Sequence, residues 1–167
     1  MGVKIFKRYE LKFMLTTQQY IQLKELMKKY MQGDEFGKST ICNLYFDTPD
    51  YLLIRHSIEK PVYKEKLRLR SYGTPKTDST VFAELKKKYK SVVYKRRIGM
   101  SEQDAMKFLC ERNPVKDTQI TREIDYFLDF YNNPKPTVYL SYEREAFFSK
   151  TDSDFRMTFD RNILWRD

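Results

Sequence analysis

Residues 3 to 13, VKIFKRYELKF, put Val3, Ile5, Tyr9, Leu11 and Phe13 on one side and Arg8, Glu10 and Lys12 on the other, with Lys7 out of pattern. Strand side chains point to alternate faces, so this period-two alternation predicts a first β-strand. The spacing then changes. Thr16 stands where a helix N-cap belongs, and Tyr20, Leu23, Met27 and Tyr30 recur at helical intervals up to Gly33. STICNLYFDT is rich in strand formers and ends at Pro49, and YLLIRHSIE before Pro61 predicts a short helix or turn.

Residues 62 to 72 alternate again. Tyr63, Glu65, Leu67 and Leu69 share one face, and Lys64, Lys66, Arg68 and Arg70 share the other. After the turn residues GTPKTDS, TVFAELKKKYK puts Phe82, Glu84, Lys86 and Lys88 on one face, which predicts a hairpin with the preceding strand. VVYKRRIGM supplies a further short strand with Lys95 and Arg97 together. Ser101 caps a helix with the apolar stripe Ala105, Phe108 and Leu109, and TREIDYFLDFY predicts a second helix that stops before Pro134. Two strands close the chain: TVYLSYEREAFF, with Tyr142 and Arg144 together, and DFRMTFDRNILW, with Arg156, Thr158, Asp160 and Asn162 opposite Phe155, Met157, Phe159 and Ile163.

Strands in succession with a few helices predict an α+β domain on an antiparallel sheet, and no linker-like change of composition divides residues 1–167 into more than one domain. An antiparallel sheet with one solvated face would alternate in the same way. The bias of the polar rows is different. Arg8, Lys12, Lys66, Arg68, Arg70, Lys86, Lys95, Arg97, Arg144 and Arg156 stand among only Glu10, Glu84 and Asp160 as acids. A sheet curled so that these rows converge would need an anionic occupant, and guanidinium forks and ammonium charges match phosphate oxygens.

Charge and composition narrow the partner. A net charge of +9 and a pI near 9.4 favour anions. Cys42 and Cys110 lack metal-site spacing and His56 is the only histidine, so zinc and Cys/His nucleophilic chemistry are unsupported, and both thiols read as reduced and buried. The charged start MGVKIFKRYE and the lack of a long apolar run argue against export or a membrane span, which places the expected location in the cytoplasm. Phosphate-cradling glycine loops are missing among only five glycines, so side chains must bind the phosphate.

Arg8-x-Glu10-x-Lys12, Tyr45-Phe46-Asp47-Thr48-Pro49-Asp50 and Leu67-Arg68-Leu69-Arg70 resemble the triphosphate tunnel metalloenzymes, which enclose triphosphate in an antiparallel β-barrel. Arg70 to Gly73, Glu84-Leu85-Lys86, Val93 to Arg97, Tyr142 to Phe147 and Phe155 to Asp160 resemble the VTC domain, the polyphosphate polymerase branch, over about residues 4 to 166. The resemblance implies a tunnel barrel with flanking helices that transfers the γ-phosphoryl group of ATP to growing polyphosphate, using Mn²⁺ or Mg²⁺. It casts Lys12, Arg68, Arg70, Lys86, Lys95, Arg144 and Arg156 as the catalytic basic residues of the tunnel, which bind nucleotide phosphates and polyphosphate. Lys66, Arg97, Tyr142 and Arg8 become further phosphate contacts, and Glu10, Glu84 and Asp160 hold metal or orient the bases. ATP and polyphosphate are the implied partners, with no nucleic acid.

Two departures accompany it. Arg8 replaces the first glutamate of the Glu-x-Glu-x-Lys signature of the triphosphatase relatives. The family continues beyond a segment like FDRNILWRD with a strand bearing Glu-x-Lys and a lysine-containing segment, so the expected barrel lacks its last strand and its main metal glutamate. A triphosphatase and a non-catalytic polyphosphate or nucleotide binder are the alternatives from the same fold.

Overall fold

The computed structural model describes residues 10–90, 92–113, 116–152 and 154–167. Four helices and a six-stranded antiparallel sheet make up the described chain: α1 (Thr17–Tyr30), β1 (Met31–Asp47), α2 (Leu52–Glu59), β2 (Tyr63–Tyr72), β3 (Thr80–Tyr89), β4 (Val92–Ser101), α3 (Glu102–Glu111), α4 (Gln119–Phe130), β5 (Lys135–Ser149) and β6 (Arg156–Arg166). The strand order is β4-β3-β2-β1-β5-β6. The sheet is not closed into a barrel, which corrects the expected tunnel barrel. Closure requires every edge to find a partner, and β4 and β6 stand at the two ends of this order.

Of the first predicted strand, residues 3 to 13, residues 3–9 lie outside the described chain, and Glu10 to Thr16 form no strand, with Leu11 and Phe13 exposed by 79% and 75%. β1 starts at Met31, eight residues before the predicted STICNLYFDT, and takes in Gly33, the expected helix end.

The chain clusters into two compact units, Met1–Ser39 with Arg144–Asp160, and Thr40–Glu143 with Arg161–Asp167. In the second unit the apolar faces of β1 to β4 contribute Phe46, Leu67, Leu69, Val81, Ala83, Leu85 and Met100 to one core. The helices supply the opposite layer: Leu53 from α2, Ala105, Phe108 and Leu109 from α3, and Ile124, Phe127 and Leu128 from α4. Burying a large apolar side chain of this kind contributes about 1.5–3 kcal/mol, so the core clamps one face of the β2–β3–β4 ladder and leaves the other to polar residues.

Local chemistry ends each helix. Ser101 Oγ accepts the Asp104 amide at 3.1 Å, and Thr118 and Thr121 form a reciprocal cap on α4. Within the motif Tyr45 to Asp50, Asp47 Oδ1 accepts the Thr48 and Leu53 amides at 2.8 and 2.9 Å, and Oδ2 accepts Ile54 N at 3.0 Å. Thr48 Oγ1 accepts the Leu52 amide at 3.0 Å. That motif therefore starts α2, whose preceding residue Tyr51 is left-handed at φ 58°.

In the first unit, α1 opens with a capping box: Thr16 Oγ1 accepts the Gln19 amide at 3.2 Å, and Gln19 Oε1 accepts the Thr16 amide at 2.9 Å. Its inner face supplies Met27, with Tyr20 and Leu23, to a small core containing Met31, Phe147, Met157 and Phe159. Both cysteines are free, Cys42 buried and Cys110 half-buried. No helix among the described residues is long and apolar enough to cross a membrane.

Candidate functional site

Antiparallel register lines up the polar faces of β1 to β4 as rungs across the second unit. Asn43, Arg70, Phe82 and Gly99 form one rung; Tyr45, Arg68, Glu84 and Arg97 the next; Lys66, Lys86 and Lys95 the third; and Lys64 with Lys88 the fourth. These rungs hold one carboxylate, Glu84, among eight basic side chains, so the expected charged row is a charged field. Like charges directly opposite destabilise a sheet, and in the third rung Lys95 is paired with Glu84.

Glu84 organises the cations. It is 1% exposed, and Arg68 donates Nε to Oε2 at 2.8 Å with a second guanidinium nitrogen at 2.7 Å. Arg70 Nε lies 3.9 Å from Oε2, Lys95 Nζ 2.8 Å from Oε1, and Arg97 Nε 3.5 Å from Oε1. Burial pushes the Glu84 carboxyl upward, but the Lys95 ammonium and the Arg68 and Arg70 guanidiniums outweigh it and hold the group below its ordinary value. It is a carboxylate at neutral pH. Burial likewise works against the Arg68 charge, yet Tyr45 and Glu84 raise its affinity for the proton further still.

Neutral partners fix the two arginines from the β1 side. Arg68 donates to Tyr45 Oη at 3.0 Å, and Arg70 donates Nε to Asn43 Oδ1 at 3.0 Å with Tyr142 Oη at 3.5 Å from its Nη2. Asn43 in turn donates to the Leu140 carbonyl at 3.3 Å. Guanidiniums anchored on two sides keep their remaining donors aimed in fixed directions, the preorganisation that binding a polyanion requires.

The structure thus brings Arg68, Arg70, Lys95, Arg97 and Tyr142 together with Glu84, and puts Lys66 and Lys86 in register beside them. Lys64 instead donates to the Ser57 carbonyl at 3.0 Å near the end of α2. The other expected residues belong to the first unit. Arg144 makes a two-pronged pair with Asp160, 2.6 Å on both arms. Lys12 and Glu10 are exposed and 3.9 Å apart, Arg156 is exposed, and Arg8 lies outside the described residues.

Asn43 was missed in the sequence and Tyr45 was given no role, although the signal is there: Asn43 is a lone amide in the strand-forming run ICNLYF. A polar residue in such a run is buried only with a partner, and its period-two neighbour is Tyr45.

A resident divalent cation does not fit the described residues. Glu84 Oε1 is buried, with Lys95 Nζ 2.8 Å away as an ion pair. Two cations already face that oxygen, and among the described residues no three His, Cys, Asp or Glu side chains gather in a way that could hold a metal ion. Hard divalent ions need several oxygen ligands. Glu84 serves here as an anchor for bases.

The family model of the VTC domain matches residues 7–167. A candidate adenylate cyclase from Bacillus halodurans, known from its crystal structure, superposes with a TM-score of 0.53 at 16% identity, over 89% of this chain and 76% of that one. At that identity the likeness speaks for the fold alone. No curated protein sequence is similar enough to count as a match.

Proposed function

Because the chain belongs to the VTC domain family, within the triphosphate-tunnel group of phosphate-handling enzymes, we propose that it transfers the γ-phosphoryl group of ATP to the end of a growing polyphosphate chain. The observation that carries this reading is one buried carboxylate, Glu84, holding Arg68, Arg70, Lys95 and Arg97 on one face beside the lysine rung. In the transfer, a terminal oxygen of the acceptor bonds to the γ-phosphorus. The bond from that phosphorus to the β–γ bridging oxygen breaks, and ADP leaves with the electron pair. Charge spreads over the non-bridging oxygens of a loose transition state, so the protein's work is positioning and charge stabilisation.

Arg68 and Arg70 have the anchoring to fix the nucleotide phosphates, and Lys95 stands next to them. Lys66 and Lys86 extend the positive field along the strands for the acceptor chain. Family membership implies metal-dependent phosphate chemistry. In this reading Mn²⁺ or Mg²⁺ arrives as part of the nucleotide substrate, coordinated by phosphate oxygens. No side-chain nucleophile is required, because the acceptor brings its own.

The test is incubation of the protein with ATP and Mn²⁺ or Mg²⁺, with products resolved on a polyacrylamide gel. A ladder of long polyphosphate supports the proposal, and Arg68→Ala should abolish it. Free phosphate without polymer would reassign the protein as a triphosphatase. Tight tripolyphosphate binding with no turnover of ATP would make it a binder.

A further inference from the structure

At one end of the charged field the rung changes character. Phe82 on β3 is cross-strand partner to both Arg70 and Gly99, and the Arg97 guanidinium lies over its ring with Cζ 3.6 Å from the centroid. Tyr72, last residue of β2, meets Phe82 edge to face at a centroid distance of 5.9 Å and an interplanar angle of 79°. Arg97 donates to Tyr72 Oη at 3.2 Å, while its Nε stays 3.5 Å from Glu84 Oε1. One arginine therefore belongs to the phosphate-facing cluster and to an aromatic corner at once.

Gly99 makes the corner possible. A Cβ built there would lie 3.2 Å from Phe82 Cε1 and 3.4 Å from Cδ1. The missing side chain lets the ring lean over the edge strand, where it supports Arg97. Tyr72 nevertheless remains 55% exposed, and its ring is held in orientation by the edge-to-face contact with Phe82 and by Arg97, which donates to its hydroxyl and whose Cζ lies over it 5.7 Å from the centroid. A fixed, half-exposed aromatic ring beside a planar guanidinium is the arrangement that stacks a nucleobase. Pure charge neutralisation would use none of the three groups this way.

We propose that Tyr72, Arg97 and Phe82 form the nucleobase platform of the phosphate site, with the base stacking on the Tyr72 ring, whose orientation Phe82 and Arg97 fix. This rests on the phosphate reading of the Glu84 cluster and adds what that reading lacks, a reason for a nucleoside triphosphate to bind better than a bare phosphate chain. Arg97 couples the two halves: the same guanidinium lies beside the base and stays tied to the carboxylate that orients Arg68.

Titration calorimetry of the intact protein with ATP and with inorganic tripolyphosphate tests it. Tyr72→Ala should weaken ATP binding roughly tenfold, within the range of a lost base–aromatic stack, and leave tripolyphosphate binding unchanged. Tyr72→Phe, which keeps the ring and loses the hydroxyl, should retain most of the ATP affinity. Equal losses for the two ligands in Tyr72→Ala, or no loss for ATP, would overturn the platform while leaving the phosphate site standing. A wild-type protein that binds neither ligand would overturn both.

Discussion

Replacing Glu84 with glutamine removes one negative charge from between four cations while keeping the side chain's shape. Removing one member of a buried ion pair costs about 3–5 kcal/mol because the other charge is stranded. Here the side chains of Arg68, Lys95 and Arg97 are 21%, 45% and 34% exposed and can recover water, whereas Arg70 at 10% keeps Asn43 as its partner. The low end of the range applies, about 3 kcal/mol, which for a chain of this size corresponds to a fall in Tm of roughly 6–12 °C. Thermal unfolding followed by circular dichroism at pH 7 measures it. The pH dependence gives a sharper signature. The folded-state pKa of Glu84 is depressed below its ordinary 4.5, so its contribution is complete above that value and is lost as pH falls through the depressed one. The gap between wild type and Glu84→Gln should therefore be constant from pH 7 to about 5 and close as pH falls well below 4. Equal stability at pH 7, or a gap that stays open in acid, would refute the anchoring role.

Asp47→Ala removes the acceptor of three backbone amides at the start of α2 and should cost about 2 kcal/mol in urea unfolding at unchanged m-value. Gly99→Ala puts a methyl group against the Phe82 ring; a loss of about 1–2 kcal/mol is expected, and wild-type stability would mean the ring is free to move. In the first unit, Glu145 accepts Lys24 at 2.5 Å and Tyr20 at 3.4 Å, and Lys24 Nζ also lies 4.1 Å from the Phe147 centroid. Glu145→Ala should speed hydrogen exchange through α1 by roughly tenfold or more and leave α3 and α4 unchanged.

Most elements were legible because their signals are local. The caps at Thr16 and Ser101, the turn before Thr80 and the alternation from Tyr63 to Arg70 each bear on a few neighbouring residues, and the structure follows them. The first predicted strand lies mostly outside the described residues; at its described end alternation reports a half-buried face without saying what covers it, and Leu11 and Phe13 have the pattern and are exposed. The motif Tyr45 to Asp50 carried family information, but half of it acts as the cap of α2, a role visible only once Leu53 and Ile54 turn back towards Asp47. At the site, the basic positions were read from period and resemblance. Glu84 was read there as a residue that holds metal or orients the bases; in the structure Arg68 and Arg97 are its cross-strand neighbours, and no cluster of carboxylates gathers with it among the described residues. The aromatic corner escaped, since Tyr72, Phe82 and Arg97 come from three strands and meet only through pairing.

The central claim is that the face organised by Glu84 is a phosphate site, and a crystal structure with tripolyphosphate tests it most directly. Phosphate oxygens at about 2.7–3.0 Å from the free donors of Arg68, Arg70 and Lys95, with Glu84 still bound to Arg68, are the expected result. Tripolyphosphate bound elsewhere, with this face occupied only by water, would contradict it.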